Sequence, residues 1–594
     1  MFKHFRRGGG RLKLPIDEPA LAPASRKQKK RLRNVKRLSV LVVAVTIMAT
    51  GFMATKSSSL AGALRQPSWD GTVTQAQLQN LSLPQESRNV GGTRRFRVFM
   101  AADAPNLSLC KSVMSSVALG YPLPILLNWK GEFNRPEWHL AGSHIAKLES
   151  LHAAIESLLA DPDDIAHDDD LAVLVDSYDV WFQLPPSVLI QRYHQINKDA
   201  DRRIRDQWRE TWRGRDDFPI PPPKQNIVIT SAKDCHPGPE SGSHPHYHHW
   251  PQSPMPKFMY GPGTDKVSGP LFDPARKYKK VRPRCVNSGM IMGTMGALRA
   301  ALARSKEKIA EAERTGRQLW SDQALLGEVI GDQELWREWA RHLGATWDGD
   351  AAGAPLSVGL HRDVVPVARA ALREGKNFEL GIGLDYAFST IPPTCSAEED
   401  GDFVALSDHK QVEAASERAG VVDGVRVRGV PTELLHTTPN AARDDIKYRD
   451  PLRDIAWGNV PLYTDFFFGT TPVGIHHNAY VDNLKTWRID NWWERMWFHP
   501  HLRRLVSSHL ILPQTGSSVR PIVRVANVSS DGVEVVYVPP ASESQEKVVT
   551  VFEPARNVGE ETVFEPISFD GICQKGKKPW FEELFGDKIG PLAL

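Results

Sequence analysis

Apolar and polar residues fall along this chain in blocks whose period switches between that of a strand and that of a helix. Phe96 to Ala102, within RRFRVFMAA, predicts a first strand. A helix is expected from Asn106 or Ser108 to a stop at Gly120, and YPLPILLN reads as a second strand despite its prolines. Between His144 and Ala160, Ile145, Leu148, Leu151, Ile155, Leu158 and Leu159 recur on one face of a helix. Leu171 to Val175 is short, continuous and β-branched, and is entered from Asp168-Asp169-Asp170, which predicts a buried strand. Strand, helix, strand, helix, strand is the rhythm of a doubly wound α/β unit.

Downstream, Asn226 to Ser231 predicts another buried strand and Ala297 to Glu313 a long helix, with SDQALLGEVI, FELGIGLDYAF and VGIHHNAY as later pieces. The expected fold class is therefore α/β, a Rossmann-type mixed sheet flanked by helices over residues 94–500. From about Leu505, alternating β-rich runs (VRPIVRVANV, GVEVVYV, KVVTVFEP) give a β-rich C-terminal extension over 501–594, either a small appendage or strands completing the domain's edge.

The pattern at the other end differs. Leu38 to Thr55 carries no charge and has the length of a membrane-spanning helix. Residues 1–37 carry thirteen Lys/Arg against Asp17 and Glu18, a local +11, so with a chain total of +4 the remainder is about −7. A basic tail running straight into an apolar stretch argues for a cytosolic flank rather than for nucleic-acid binding. The expectation is a single-pass type II anchor in the Golgi or ER membrane with the body lumenal; a cleaved signal peptide ending near Ala61-Gly62-Ala63 is the rival. Residues 56–93, rich in Ser, Gln, Gly and Pro, read as a flexible stem. Sequons at Asn80, Asn106 and Asn527 agree with a lumenal body. Five widely spaced cysteines without a C-x-x-C pair exclude a zinc scaffold of that type and leave room for one or two bridges.

The chemistry is concentrated in DSYDV. Asp176 and Asp179 end an apolar strand, where open α/β sheets bind ligands, and two carboxylates three residues apart can converge on a hard cation such as Mn²⁺ or Mg²⁺ that also holds a diphosphate. An exposed acidic turn is the plain alternative. HPHYHHW, with His244, His246, His248 and His249, sits among proline and glycine and is expected to be a solvated loop. In TWRIDNWWERMWF, Trp493 and Trp497 have the spacing of core packing, although aromatic faces also stack on sugars.

DSYDV, SAKDCHP, NSG, SDQ, the LDY of Leu384-Asp385-Tyr386 and a final IHHNA stand in an order and approximate spacing that resembles one family. This is the GT-A glycosyltransferase domain of the procollagen lysyl hydroxylases and related collagen glucosyl- and galactosyltransferases, over residues 94–490. The resemblance implies a metal-dependent, retaining hexosyltransferase that uses a UDP-sugar and Mn²⁺ (or Mg²⁺). Asp176 and Asp179 fall on the family's metal aspartates, and His476 on the histidine of its HGNG turn. Two carboxylates and an imidazole suit Mn²⁺ better than Zn²⁺. Lys147 and Ser177 become candidate contacts to the nucleotide cofactor, and Asn287 and Asp322 candidate catalytic contacts to donor or acceptor. The chain departs from the family where Leu319-Trp320-Ser321-Asp322-Gln323 keeps only the last of a run of aspartates, and where His477 and Ala479 replace glycines. The lysine after that turn is out of register, with Lys485 nearby. The acceptor is thus open between protein and glycan. A GT-A-like lumenal scaffold without catalysis, and a metal-dependent hydrolase, are the competing functions.

Overall fold

The computed structural model describes residues 91–592 apart from short stretches, the longest being 213–219, 267–277, 347–353, 438–454, 512–520 and 541–547, together with 72–73, 77–78 and 81. In chain order its framework is β1 (Gly92–Ala101), α1 (Leu107–Ala118), β2 (Ile125–Leu127), α2 (Ala146–Ala160), β3 (Leu171–Asp176), β4 (Val180–Phe182), α3 (Pro186–Thr211), β5 (Ile227–Ala232), β6 (Cys285–Thr294), α4 (Met295–Thr315), α5 (Asp322–Thr346), α6 (Val364–Glu374), β7 (Ile382–Asp385), β8 (Gly401–Ala405), β9 (Pro461–Asp465), β10 (Gly474–His476), α7 (Leu484–Asn491), β11 (Val523–Val525), β12 (Val535–Val538), β13 (Val549–Glu553) and β14 (Val563–Ile567). The strands and helices expected between Phe96 and Glu313 are present, most within a few residues of their predicted ends. Helix α3, which runs from Pro186 to Thr211, has no counterpart among the expected elements.

One sheet organises the fold. Its order is β14-β13-β2-β1-β3-β6-β5-β7, with β12 also paired to the start of β1 and β11 to β12. The pairs β13–β2, β2–β1, β1–β3 and β5–β7 are parallel, whereas β6 runs antiparallel to both β3 and β5. The sheet is buried on both faces, so its strands read as continuous apolar runs. Leu171, Val173 and Val175 pack in one core cluster with Phe96, Val98 and Met100. Ala172 and Leu174 pack in the other, with Phe99, Leu148, Leu151 and Leu325. Continuing the two-residue period puts Asp176 on the Ala172 and Leu174 side, the face covered by α2 and α5.

Two expectations need correction. The architecture drawn from the sequence stood behind a transmembrane helix, but no helix among the described residues is long and apolar enough to cross a membrane, and residues 38–55 lie outside them. The fold is therefore the mixed α/β sheet and its helices. The C-terminal strands are not a separate extension, because β13 pairs in parallel with β2 and β12 with β1. A disulfide from Cys573 to Cys110 on α1 fixes the same segment to the core, while Cys235 bonds Cys285 at the start of β6. Of the three sequons, Asn106 is the N-cap of α1, its side-chain oxygen accepting from the Leu109 amide at 2.9 Å; Asn80 and Asn527 lie outside the described residues.

Beyond β5, Lys233 is fully buried against Asp400, with its ammonium 4.4 Å from the Tyr260 ring centre. Asp465, at the end of β9, accepts the amides of Phe467 and Phe468 at 2.9 and 3.0 Å. Burial pushes its carboxyl up to about 7, and Asp400 beside it adds to the shift. The folded chain thus keeps a proton that the unfolded chain releases near pH 4, so this group's contribution falls as pH rises from about 4 to about 7. Urea midpoints across that range are expected to decline less steeply for Asp465→Asn, which retains the accepting oxygen; parallel profiles for the two proteins would contradict the assignment.

Candidate functional site

β3 delivers Asp176 at the sheet's end, and a tight turn carries the chain into β4. That short strand pairs antiparallel with β10, matching Val180 with His476, Trp181 with Ile475 and Phe182 with Gly474. The His477 amide donates to the Asp179 carbonyl at 2.7 Å and closes the arrangement. His476 is thereby set beside two aspartates that lie about 300 positions earlier in the sequence. His476 Nε2 lies 3.5 Å from Asp176 Oδ2 and 3.4 Å from Asp179 Oδ2. Donor atoms of all three lie within 4.8 Å of one another, the arrangement expected of a shared cation.

His477, the adjacent competitor, takes no part. Strand alternation turns its ring away into a slot between Trp181, 4.1 Å between centroids, and Trp492, 5.7 Å. Burial, reinforced by Arg488, pushes its pKa far below the usual imidazole range. It is a neutral core side chain.

Room for His476 comes from β6. A Cβ added at Gly289 would lie 2.3 Å from His476 Nδ1, so only glycine lets the ring lie against this strand. Asn287 holds the same turn: its Oδ1 accepts the Gly289 amide at 3.1 Å and its Nδ2 donates to Gln323 Oε1 at 3.2 Å. With both ends of its amide engaged, Asn287 shapes the site from behind. Gln323 in turn donates to the His236 carbonyl.

Two lysines balance the carboxylates. Lys147, buried on α2, places Nζ 2.6 Å from Asp176 Oδ1, 2.5 Å from Asp322 Oδ2 and 3.0 Å from the Ser288 carbonyl. Burial opposes its charge, but Asp176 and Asp322 outweigh that and raise its pKa. Burial likewise works against ionised Asp322, and Lys147, His144 and Ser288 overcome it to hold the carboxyl below its usual range. Asp179 is also depressed against its burial, by His476 and then by Lys485, whose Nζ sits 2.6 Å from Oδ2. Leaving the imidazoles aside, three carboxylates against two ammonium groups amount to a charge near −1, which favours an incoming cation.

The structure thus brings together Asp176, Asp179, His476, Lys147 and Asp322, with Asn287 supporting them. Ser177 is different. It is buried, and its hydroxyl donates to the Ala101 carbonyl, tying the turn to β1. Tyr178 does related work, donating to Asp103 Oδ1 at 2.7 Å and accepting the Asp103 and Ala104 amides at 3.0 Å. Sequence reasoning left Lys485 unassigned and did not single out Gly289; a glycine inside an otherwise apolar strand was the available signal for the latter. The histidine segment is not a free loop either, since His248 and His249 gather with His361 and Asp363 into a second cluster. Trp492, Trp493 and Trp497 are core residues, and Trp487 alone of the four is exposed.

Gly289→Ala is expected to displace the His476 ring and weaken Mn²⁺ binding by at least about tenfold, at an overpacking cost of roughly 1–3 kcal/mol. Calorimetric titration with Mn²⁺ beside a melting curve separates the two effects; unchanged affinity would show that His476 is not a ligand.

Neither a protein-family model nor a curated protein sequence matches the chain.

Proposed function

We propose that the chain is a metal-dependent glycosyltransferase that moves a hexose from a UDP-sugar to a glycoprotein or glycan of the secretory pathway. The observation that carries this reading is the convergence of Asp176, Asp179 and His476 with an ammonium group on either side. Two hard oxygen donors and one imidazole fit Mn²⁺ or Mg²⁺ chemistry, and the three leave other coordination positions for a substrate. A divalent cation held there would neutralise charge developing on the departing diphosphate.

The chain's own residues supply the rest. Lys147, pinned between Asp176 and Asp322, is the counter-ion of both and keeps the first of them aimed at the site. Lys485 is about half exposed and bonded through a single oxygen, so it can exchange Asp179 for a phosphate oxygen without a backbone change. A cation would bring the site from about −1 to about +1, suited to a diphosphate carrying two negative charges. Asp322 is the carboxylate on the far side of Lys147, and its position next to Gln323 and the Asn287 turn makes it the group we assign to orienting the sugar. Two disulfides support an oxidising compartment, where a glycoprotein or glycan acceptor would be met.

The test is UDP release by the purified protein across a panel of UDP-sugars with Mn²⁺. Activity is expected with one or a few donors and to fall at least about 100-fold in Asp176→Asn/Asp179→Asn. Lys485→Met is expected to raise KM for the donor roughly tenfold, with a smaller effect on kcat. Absence of Mn²⁺-dependent UDP-sugar binding by the wild type would refute the function. UDP release that survives the double substitution would refute the site.

A further inference from the structure

Between β5 and β6, a single helical turn at Tyr247–His249 packs on α5, and the chain entering α6 approaches the same place. Here His248 Nε2 lies 3.2 Å, His249 Nε2 3.6 Å and His361 Nδ1 3.7 Å from one oxygen, Asp363 Oδ2. His246 Nδ1, at 3.4 Å, faces it as well, and Arg362 approaches the other carboxylate oxygen at 3.5 Å from a nearly fully exposed position. For a tetrahedral Zn²⁺ with bonds near 2.0–2.1 Å, donor atoms are separated by roughly 3.3 Å. The observed spacings bracket that value.

Three details point to a ligand rather than to an ordinary polar surface. His249 is only 5% exposed at its side chain, and its Nδ1 lies 2.6 Å from Glu338 Oε2 on α5. A carboxylate partner on Nδ1 fixes the proton there and leaves Nε2 with its lone pair, as in carboxylate–histidine–metal arrangements. Yet that Nε2 is buried and has no hydrogen-bond partner among the described residues. Asp363 supplies the third detail. It occupies the N-cap position of α6, where an aspartate normally accepts a backbone amide, but its side chain makes no capping bond and turns to the imidazoles. His249 Nε2 and His361 Nδ1 thus turn lone pairs toward Asp363 Oδ2, an opposition that a cation between them would relieve.

We propose that His248, His249, His361 and Asp363 form a second metal site, matched to Zn²⁺ and structural in role. Imidazole-rich sets favour Zn²⁺ over Mn²⁺ or Mg²⁺, and four protein ligands close a tetrahedral shell. His361 yields most on binding, because its Nδ1 accepts a long 3.3 Å bond from the Asp363 amide that must be exchanged. The site is separate from the one at Asp176. Both touch α5, but Glu338 follows Asp322 by sixteen residues, about 24 Å along the helix axis. Its effect is to fasten the segment that leaves β5 at Lys233 to the two helices α5 and α6, a segment whose His236 carbonyl accepts from Gln323 beside the first site.

The test uses the full chain carrying Asp176→Asn and Asp179→Asn, so that metal content reports on the second site alone. After zinc loading and gel filtration, elemental analysis is expected to find about one Zn²⁺ per chain, and Co²⁺ in its place to give the intense visible bands of a tetrahedral ion. Adding His248→Ala and His249→Ala is expected to weaken zinc binding at least tenfold and to abolish those bands. A chelator is expected to lower the melting temperature of the parent but not of the histidine variant. Should the histidine variant fail to fold, Asp363→Asn provides the second probe, since Asn caps a helix as well as Asp, and it too is expected to lose zinc. Zinc absent from the parent, retained unchanged by the ligand variants, or replaced by an octahedral Co²⁺ spectrum would each overturn the proposal and leave a protonated imidazole–carboxylate cluster.

Discussion

The site depends on a ribbon of three residue pairs. β4 and β10 are each too short to stand alone, and their pairing is stabilised by what surrounds them: the Trp181 ring against His477 and Trp493, and the Gln183 amide bonding the Tyr463 and Pro472 carbonyls. Because His476 is matched to Val180, the residue after Asp179, the register alone sets the imidazole beside the carboxylates. A slip of one residue would exchange His476 for His477 or Ile475, turning a site residue into the core and a core side chain into the site. Alternation along a strand is thus what distinguishes two adjacent histidines.

Charge at the site is arranged around this ribbon. Three ionised carboxyls in a largely buried setting would repel one another severely, and the two lysines prevent it in different ways. Lys147 is buried and held by two acids and a carbonyl, a fixed counter-ion whose removal would leave unpaired charge in the interior. Lys485 reaches in from a short helix at the surface and is held by one acid. One lysine is fixed in the interior by three partners; the other is held at the surface by a single carboxylate. The same division of labour recurs at the second cluster, where buried His249 is locked by Glu338 and exposed His248 and His361 complete the set.

Much of this was legible in the chain. The continuous apolar runs gave the strands, because a sheet covered on both faces needs no alternation, and the helical stripe of Ile145, Leu148, Leu151 and Ile155 gave α2. Asp176 and Asp179 could be picked out because charge at the end of such a run has no structural reason to be there. Ser177 and the histidine segment went differently. A hydroxyl between the two aspartates looks free to bond a substrate, but folding brings the Ala101 carbonyl within its reach. Histidines among prolines look solvated until a carboxylate more than a hundred residues away is folded onto them.

The sequence by itself determined the strand–helix alternation up to β3, the α/β class and the position of two carboxylates, since these follow from local periodicity and from what an apolar strand must bury. Which histidine joins them, which lysines neutralise them, that Gly289 must lack a side chain, and that the last strands extend the main sheet were decided only by tertiary structure. Each of those facts is a contact between residues distant in sequence. It is fixed by strand register and by close packing, neither of which leaves a mark on the local pattern of the chain.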